Sequence, residues 1–339
     1  MKLDVFTHIL PATYARRMSE LGDTPAARNI RQRIAGVPVL VDLDLRLRQL
    51  EEFGEDYRQI ISLPAPPLED IGERQLGAEL ARIANEGLAA LVRAHPERFA
   101  GFVAGLPLAD VGDAIEEARR ATGELGALGV QVYTSVSGAP WDEARFESFF
   151  EALDQLGAIV WVHPTRNATW ADYPTETRSR YEIWWALGWP HDTSLFMARI
   201  VFSGLLDRYP RVRFITHHGG GTIPMLAGRV ADGWDQLGAR TPPAEREEVQ
   251  TPIRGRPVDY FKRFYVDTAL FGAAEAIACS LAFFGEDHLL FASDSPFDPE
   301  KGPGYIRSTI ANLEQLGLDS EQLEKIFHGN AERLLRGAG

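Results

Sequence analysis

A single cysteine, Cys279, serves a chain of 339 residues. No disulfide framework and no cysteine-built zinc site can form within one such chain, and a reducing, cytoplasmic setting is expected. No apolar run approaches the ~20 residues that a membrane-spanning helix needs, and the N-terminus lacks the charged and apolar regions of a signal peptide. Basic clusters are missing as well. With 35 Lys and Arg against 48 Asp and Glu, the formal charge of −13 is spread along the chain. That distribution argues against a nucleic-acid or anionic-membrane surface and favours a small-molecule partner. The Gly-rich phosphate turn that an open doubly wound sheet usually carries after its first strand is also missing, since HILPATY (8–14) stands there. There is no internal repeat, and no biased tract beyond LPAPPLED (63–70).

What the chain has is alternation, and 45% hydrophobic residues are ample for a large core. Short β-branched or aromatic runs alternate with longer stretches of helical period, the signature of βα units around a parallel sheet. The runs are KLDVFTH (2–8), RQIISL (58–63), FAGFVAG (99–105), GVQVYT (129–134), AIVWVH (158–163), VRFITH (212–217), RFYVDT (263–268) and HLLFASD (288–294). Between them lie amphipathic segments such as LGAELARIANEGLAALVRAH and FESFFEALDQLG. The pattern predicts one α/β domain over 1–339, a (β/α)8 TIM-type barrel. Three connections, near 9–57, 164–211 and 235–262, exceed the usual loop length and are expected to be insertions at the C-terminal mouth. Such excursions build lids or oligomer contacts, and a homodimer is expected.

Active sites of this barrel are assembled where strands end. Strand 1 ends in His8, strand 5 in His163, strand 6 in His217 and His218, and strand 8 in Asp294. Imidazole nitrogen and carboxylate oxygen are ligands of divalent Zn, Mn and Fe, and a catalytic site holds three or four of them so that a position stays open. His8, His163 and Asp294 supply two imidazoles and a carboxylate. Gly219, Gly220 and Gly221 suit a close approach of backbone to a ligand. His95, His288 and His328 stand at helix ends or at the opposite end of a strand and are expected to be structural. His191 lies in a Trp-rich segment with Trp184, Trp185 and Trp189, which could wall a pocket for a flat apolar substrate.

With these residues assembled, the chain resembles the amidohydrolase superfamily, in its aminocarboxymuconate-semialdehyde decarboxylase-like branch. The resemblance rests on DVFTHILP (4–11), VHP (162–164), THHGGGTIPMLAGR (216–229) and FASDSPF (291–297), and it spans essentially the whole chain. It implies a metal-dependent barrel, most of whose characterised relatives remove CO₂ from unsaturated or aromatic carboxylic acids. It implies His8, His163 and Asp294 as ligands of one divalent ion, zinc first, with iron or manganese as alternatives and His217 or His218 as a further ligand. His218, six residues before Pro224, matches the histidine that acts with Asp294 in catalysis. Arg46, eight residues before Gly54, matches a carboxylate-binding arginine, whereas the place of a second such arginine falls near Leu237. Arg46, Phe6, Trp189, His191 and Phe297 are the expected substrate-binding residues.

The chain departs from the family at strand 1. His-x-His or Glu-x-His is expected there, and Phe6-Thr7-His8 is found. Phenylalanine cannot coordinate, and residues two apart on a strand share a face, so Phe6 is expected to fill volume beside the ion. The leading expectation is a metal-dependent carbon–carbon lyase, a decarboxylase acting on an unsaturated or aromatic carboxylic acid. A hydrolase or hydratase, an iron-dependent oxygenase acting on a hydrophobic intermediate, and a non-catalytic relative with a degraded site are the alternatives.

Overall fold

Runs of Val, Ile and aromatic residues become strands here because they are buried on both faces, as in IVWVH and VQVY, where every residue is buried. The computed structural model describes residues 1–249 and 251–337. Its strands are β1 (Lys2–His8), β2 (Tyr57–Ser62), β3 (Phe99–Phe102), β4 (Ala104–Gly105), β5 (Val130–Tyr133), β6 (Ile159–His163), β7 (Arg213–Thr216), β8 (Tyr265–Asp267) and β9 (Leu289–Leu290). Pairing is parallel throughout, in the orders β1-β2-β3 and β4-β5-β6-β7-β8-β9. β3 and β4 are halves of one stave, interrupted at Val103, whose N–H donates to the Ile61 carbonyl at 3.0 Å.

The ends of the two sheets are joined by backbone bonds. Val5 N–H donates to Phe291 O at 3.0 Å and Asp294 N–H to Phe6 O at 3.2 Å. The result is a (β/α)8 barrel. The last strand pairs regularly over only two residues, fewer than HLLFASD suggests, because the chain beyond them turns its N–H groups elsewhere. Phe291 donates to Ile326 O and Asp294 to β1.

One irregularity positions the site. Between Asp4 and Thr7 the register of β1 against β2 slips by a residue. Val5 and Phe6, neighbours in sequence, therefore both turn into the barrel interior, where they pack with Leu3, Ile60, Ile159, Trp161 and Ile215. The Val5 carbonyl is met by the Trp161 indole N–H at 2.9 Å. Asp4 faces outward and accepts from Tyr57 Oη at 2.6 Å and Ser293 N at 3.0 Å. At the opposite end from the site, helix Asn330–Arg336 sends Ala331 and Leu334 into the same interior cluster.

The three long connections hold regular structure. Residues 9–57 form helices Ala12–Glu20, Pro25–Gly36 and Leu43–Leu50. In the second of these, Thr24 caps the N-terminus by accepting from Ala27 N at 3.2 Å, with Pro25 in the first turn. Within 164–211, helix Gly188–Phe202 is the crossover that a parallel β6–β7 pair requires. Residues 235–262 contain the 3-10 segment Pro243–Val249 and helix Pro257–Phe261.

Candidate metal centre

The strand ends deliver His8, His163, His217, His218 and Asp294 to one place. The imidazole nitrogens of His8, His163 and His217 lie within 4.8 Å of one another, and so do the ligand atoms of His217, His218 and Asp294. Asp294 Oδ1 stands 3.2 Å from His8 Nε2 and 3.4 Å from His217 Nε2, while its Oδ2 stands 3.5 Å from His218 Nε2. Asp294 and His218 reach these positions through left-handed backbone, at φ 60° and 55°. Such conformations are costly for residues with a side chain and gather at functional sites.

The second ring nitrogen of His8, His163 and His217 is committed. His8 Nδ1 contacts Leu63 O at 3.1 Å, His163 Nδ1 contacts Pro164 O at 2.7 Å, and His217 Nδ1 is bonded to the carboxylate of Asp267. A carbonyl or carboxylate partner takes an N–H, so each of these rings, in its neutral form, carries its lone pair on Nε2, facing the others. His8 Nε2, His217 Nε2, both nitrogens of His218 and Asp294 Oδ1 are buried and have no hydrogen-bond partner. Buried acceptors that converge without donors are costly to maintain, and a cation satisfies all of them at once. The residues present fit a divalent ion.

The electrostatics agree. Burial lowers the pKa of His8, against the pull of Asp294, and burial together with neighbouring rings holds His163 well below the ordinary imidazole value. Burial opposes the charge of His217, yet Asp267 and Asp294 outweigh it and push its pKa up to about 10. Asp294 is driven the other way: burial would raise it, but the imidazoles around it hold it well below the usual carboxylate range.

Phe6 is fully buried and stacks on the His217 ring with centroids 3.9 Å apart, and it lies 5.5 Å from the His8 ring and 6.0 Å from that of His163. It fills the interior directly beneath the ligand cluster. Above the cluster is a chamber of about 230 Å³, lined by Arg33, Ala65, His163, Trp184, Trp185, Trp189, Phe271, Asp294, Phe297 and Tyr305. Trp189 packs edge-on to the His163 ring at 5.4 Å and Phe297 lies 5.6 Å from that of His8.

Three of the expected substrate-binding residues lie outside the chamber lining: Phe6, buried beneath the cluster against His217, and two that stand elsewhere. Arg46 is buried behind β1, where Nε and Nη2 donate to Gln59 Oε1 at 3.1 and 2.7 Å and Nη1 donates to His8 O at 2.6 Å. It does not line the chamber, because its guanidinium is consumed in fixing the strand that carries His8. His191 is largely exposed, beside Asp192 at 3.2 Å, and also lies outside the chamber lining. The glycine run is closely packed by the protein itself. A Cβ on Gly219 would stand 2.6 Å from Ser280 Oγ, and one on Gly221 would stand 2.3 Å from Pro190 O, both from positive φ. Two residues escaped the sequence. Asp267, which orients His217, ends the run RFYVDT, and that strand-end carboxylate was the available signal. Arg33 is a helix residue with no motif around it.

The amidohydrolase family profile matches residues 54–337. The chain belongs to the amidohydrolase family. Within it, the chain falls in the aminocarboxymuconate-semialdehyde decarboxylase-like branch. It is 27% identical to the 2-amino-3-carboxymuconate-6-semialdehyde decarboxylase of Dictyostelium discoideum, over 99% of this chain and 91% of that protein. It is 32% identical to a gamma-resorcylate decarboxylase of Rhodococcus jostii, over 76% and 79%. Among solved structures it resembles a dihydroxybenzoic acid decarboxylase of Polaromonas with bound manganese and the inhibitor 2-nitroresorcinol. That match has a TM-score of 0.77 and 26% identity, covering 99% of this chain and 96% of the other.

Proposed function

We propose that this amidohydrolase is a metal-dependent decarboxylase of small aromatic carboxylic acids, with one divalent ion held by His8, His163, His217 and Asp294. The observation that carries the proposal is the set of buried, partnerless Nε2 and Oδ1 atoms converging under an aromatic-walled chamber. His217 supplies the imidazole that Phe6 cannot, which argues against a site in decay. Four protein ligands close a tetrahedral ion but leave positions on an octahedral one, so manganese is favoured over zinc. The ion, when bound, contributes positive charge that binds and orients substrate oxygen.

The remaining work belongs to the side chains. The chamber of about 230 Å³ holds one ring and is walled by Trp189, Phe297 and Tyr305. Decarboxylation places a proton on the ring carbon as the bond to the carboxylate breaks and its electrons return to the ring. Asp294 Oδ2 and His218 Nε2, 3.5 Å apart, hold that proton between them. The test is chelator-stripped protein reloaded with Mn, Zn or Fe and assayed for CO₂ release from single-ring hydroxybenzoates. Metal-dependent release, greatest with Mn, is expected. No release from any acid with any metal would overturn the proposal, and hydrolysis of ester or amide analogues instead would favour the hydrolase alternative.

A further inference from the structure

Among the described residues, Arg33 is the only Lys or Arg side chain that lines the chamber with His163 and Asp294, and it forms no direct ion pair. Its Nε donates to Asn29 Oδ1 at 2.9 Å, one helical turn away, which fixes the plane of the group. The guanidinium carbon lies 5.7 Å over the Phe297 ring, and that ring packs against His8. These contacts occupy Nε and one face and leave the two Nη groups without hydrogen-bond partners among the described residues. Two other arginines near the site are engaged elsewhere. Arg166 borders the neighbouring hollow and sits 3.5 Å from Asp192, and Arg46 is bonded to Gln59 and His8.

A half-buried guanidinium, oriented through Nε and lacking a carboxylate partner, is matched by a planar two-oxygen anion that takes both free Nη groups. Arg33 also borders the open groove of about 1130 Å³ outside the chamber, so it meets an incoming ligand before the ion does.

We infer that Arg33, rather than Arg46, is the residue that recognises the substrate's carboxylate, and that it selects single-ring acids over the corresponding neutral phenols. The inference rests on the proposed function only in taking this chamber as the substrate site. Because the carboxylate charge departs as CO₂, an anchor on it favours the bound acid over the transition state. Its loss is therefore read as a rise in KM with no fall in kcat.

The experiment uses manganese-loaded parent, Arg33→Gln and Arg33→Lys protein. Calorimetric binding of salicylate and 2,6-dihydroxybenzoate is compared with binding of phenol and resorcinol, and metal content and CO₂ release are measured on the same preparations. Arg33→Gln is expected to weaken the acids by roughly 10- to 100-fold, the loss of a charge-assisted pair. The phenols and the metal content should hold steady, and Arg33→Lys should recover part of the acid binding. Equal weakening of acids and phenols would reduce Arg33 to a packing residue and overturn the inference, as would unchanged acid binding or a parent that binds none of the acids. Selective loss of acid binding without CO₂ release from any preparation would uphold Arg33 and overturn the decarboxylase. CO₂ release with KM unchanged in Arg33→Gln would do the reverse.

Discussion

The pairing of Phe6 with His217 decides how the centre is built. A ring that cannot coordinate lies flat against one that can, so a position expected to bind the ion instead braces the imidazole of His217, just past the end of β7. Phe6→His is expected to tighten metal binding while lowering the stability of the metal-free protein by about 2 kcal/mol, since a polar ring replaces buried apolar surface. Metal titration and denaturant unfolding of the stripped protein measure the two effects. Asp267→Asn should leave every ligand in place yet weaken the ion roughly 10- to 100-fold by releasing His217, as competition with a chelator would show.

The pKa of His217, raised to about 10, gives a sign for pH. Without metal this ring is charged below that value, and binding must expel its proton. Affinity for manganese should therefore climb by about tenfold per pH unit between roughly pH 7 and 9, with about one proton released per ion. Calorimetry in buffers of different ionisation enthalpy counts that proton. His8, His163 and Asp294 were legible in the sequence because strand ends are where chemistry collects. Arg33 was not, because its place depends on how a helix outside the barrel repeat leans over the mouth.

At the scale of elements, helix Leu43–Leu50 is the clearest departure from expectation. Its Arg46 is expected to bind substrate, but the helix is a clamp in which Arg46 joins β2 through Gln59 and β1 through the His8 carbonyl. Removing one member of such a buried network strands the others. Arg46→Met should cost about 3 kcal/mol in urea unfolding. It should leave the preference for acid over phenol intact, in contrast to Arg33→Gln. The strands themselves were legible from their unbroken apolar runs, which only a sheet covered on both faces can bury. The slip in β1 was not, because Val5 and Phe6 are both apolar and composition does not reveal which side of the strand each takes.

For the whole molecule, the ring of staves leaves no free edge. It is closed by bonds from β1 to Phe291 and Asp294, and its far end is plugged by Ala331 and Leu334. Leu334→Asp should destabilise the fold by about 3–4 kcal/mol. If the barrel is one cooperative unit, tryptophan fluorescence and metal release should report the same shifted midpoint, and separate midpoints would divide the barrel in two. The barrel was legible in outline from eight runs and their helical spacers, whereas the contents of the long connections were not, since their structure depends on what they cover. The extra residue in β1 carries a further meaning. Inserted into an ordinary strand, one residue would turn over every side chain beyond it. Here the bulge absorbs that half-turn, so Leu3 below it and His8 above it both face the axis. The first stave is geared in two stages, which leaves the packing of the floor and the chemistry of the mouth free to change in separate steps.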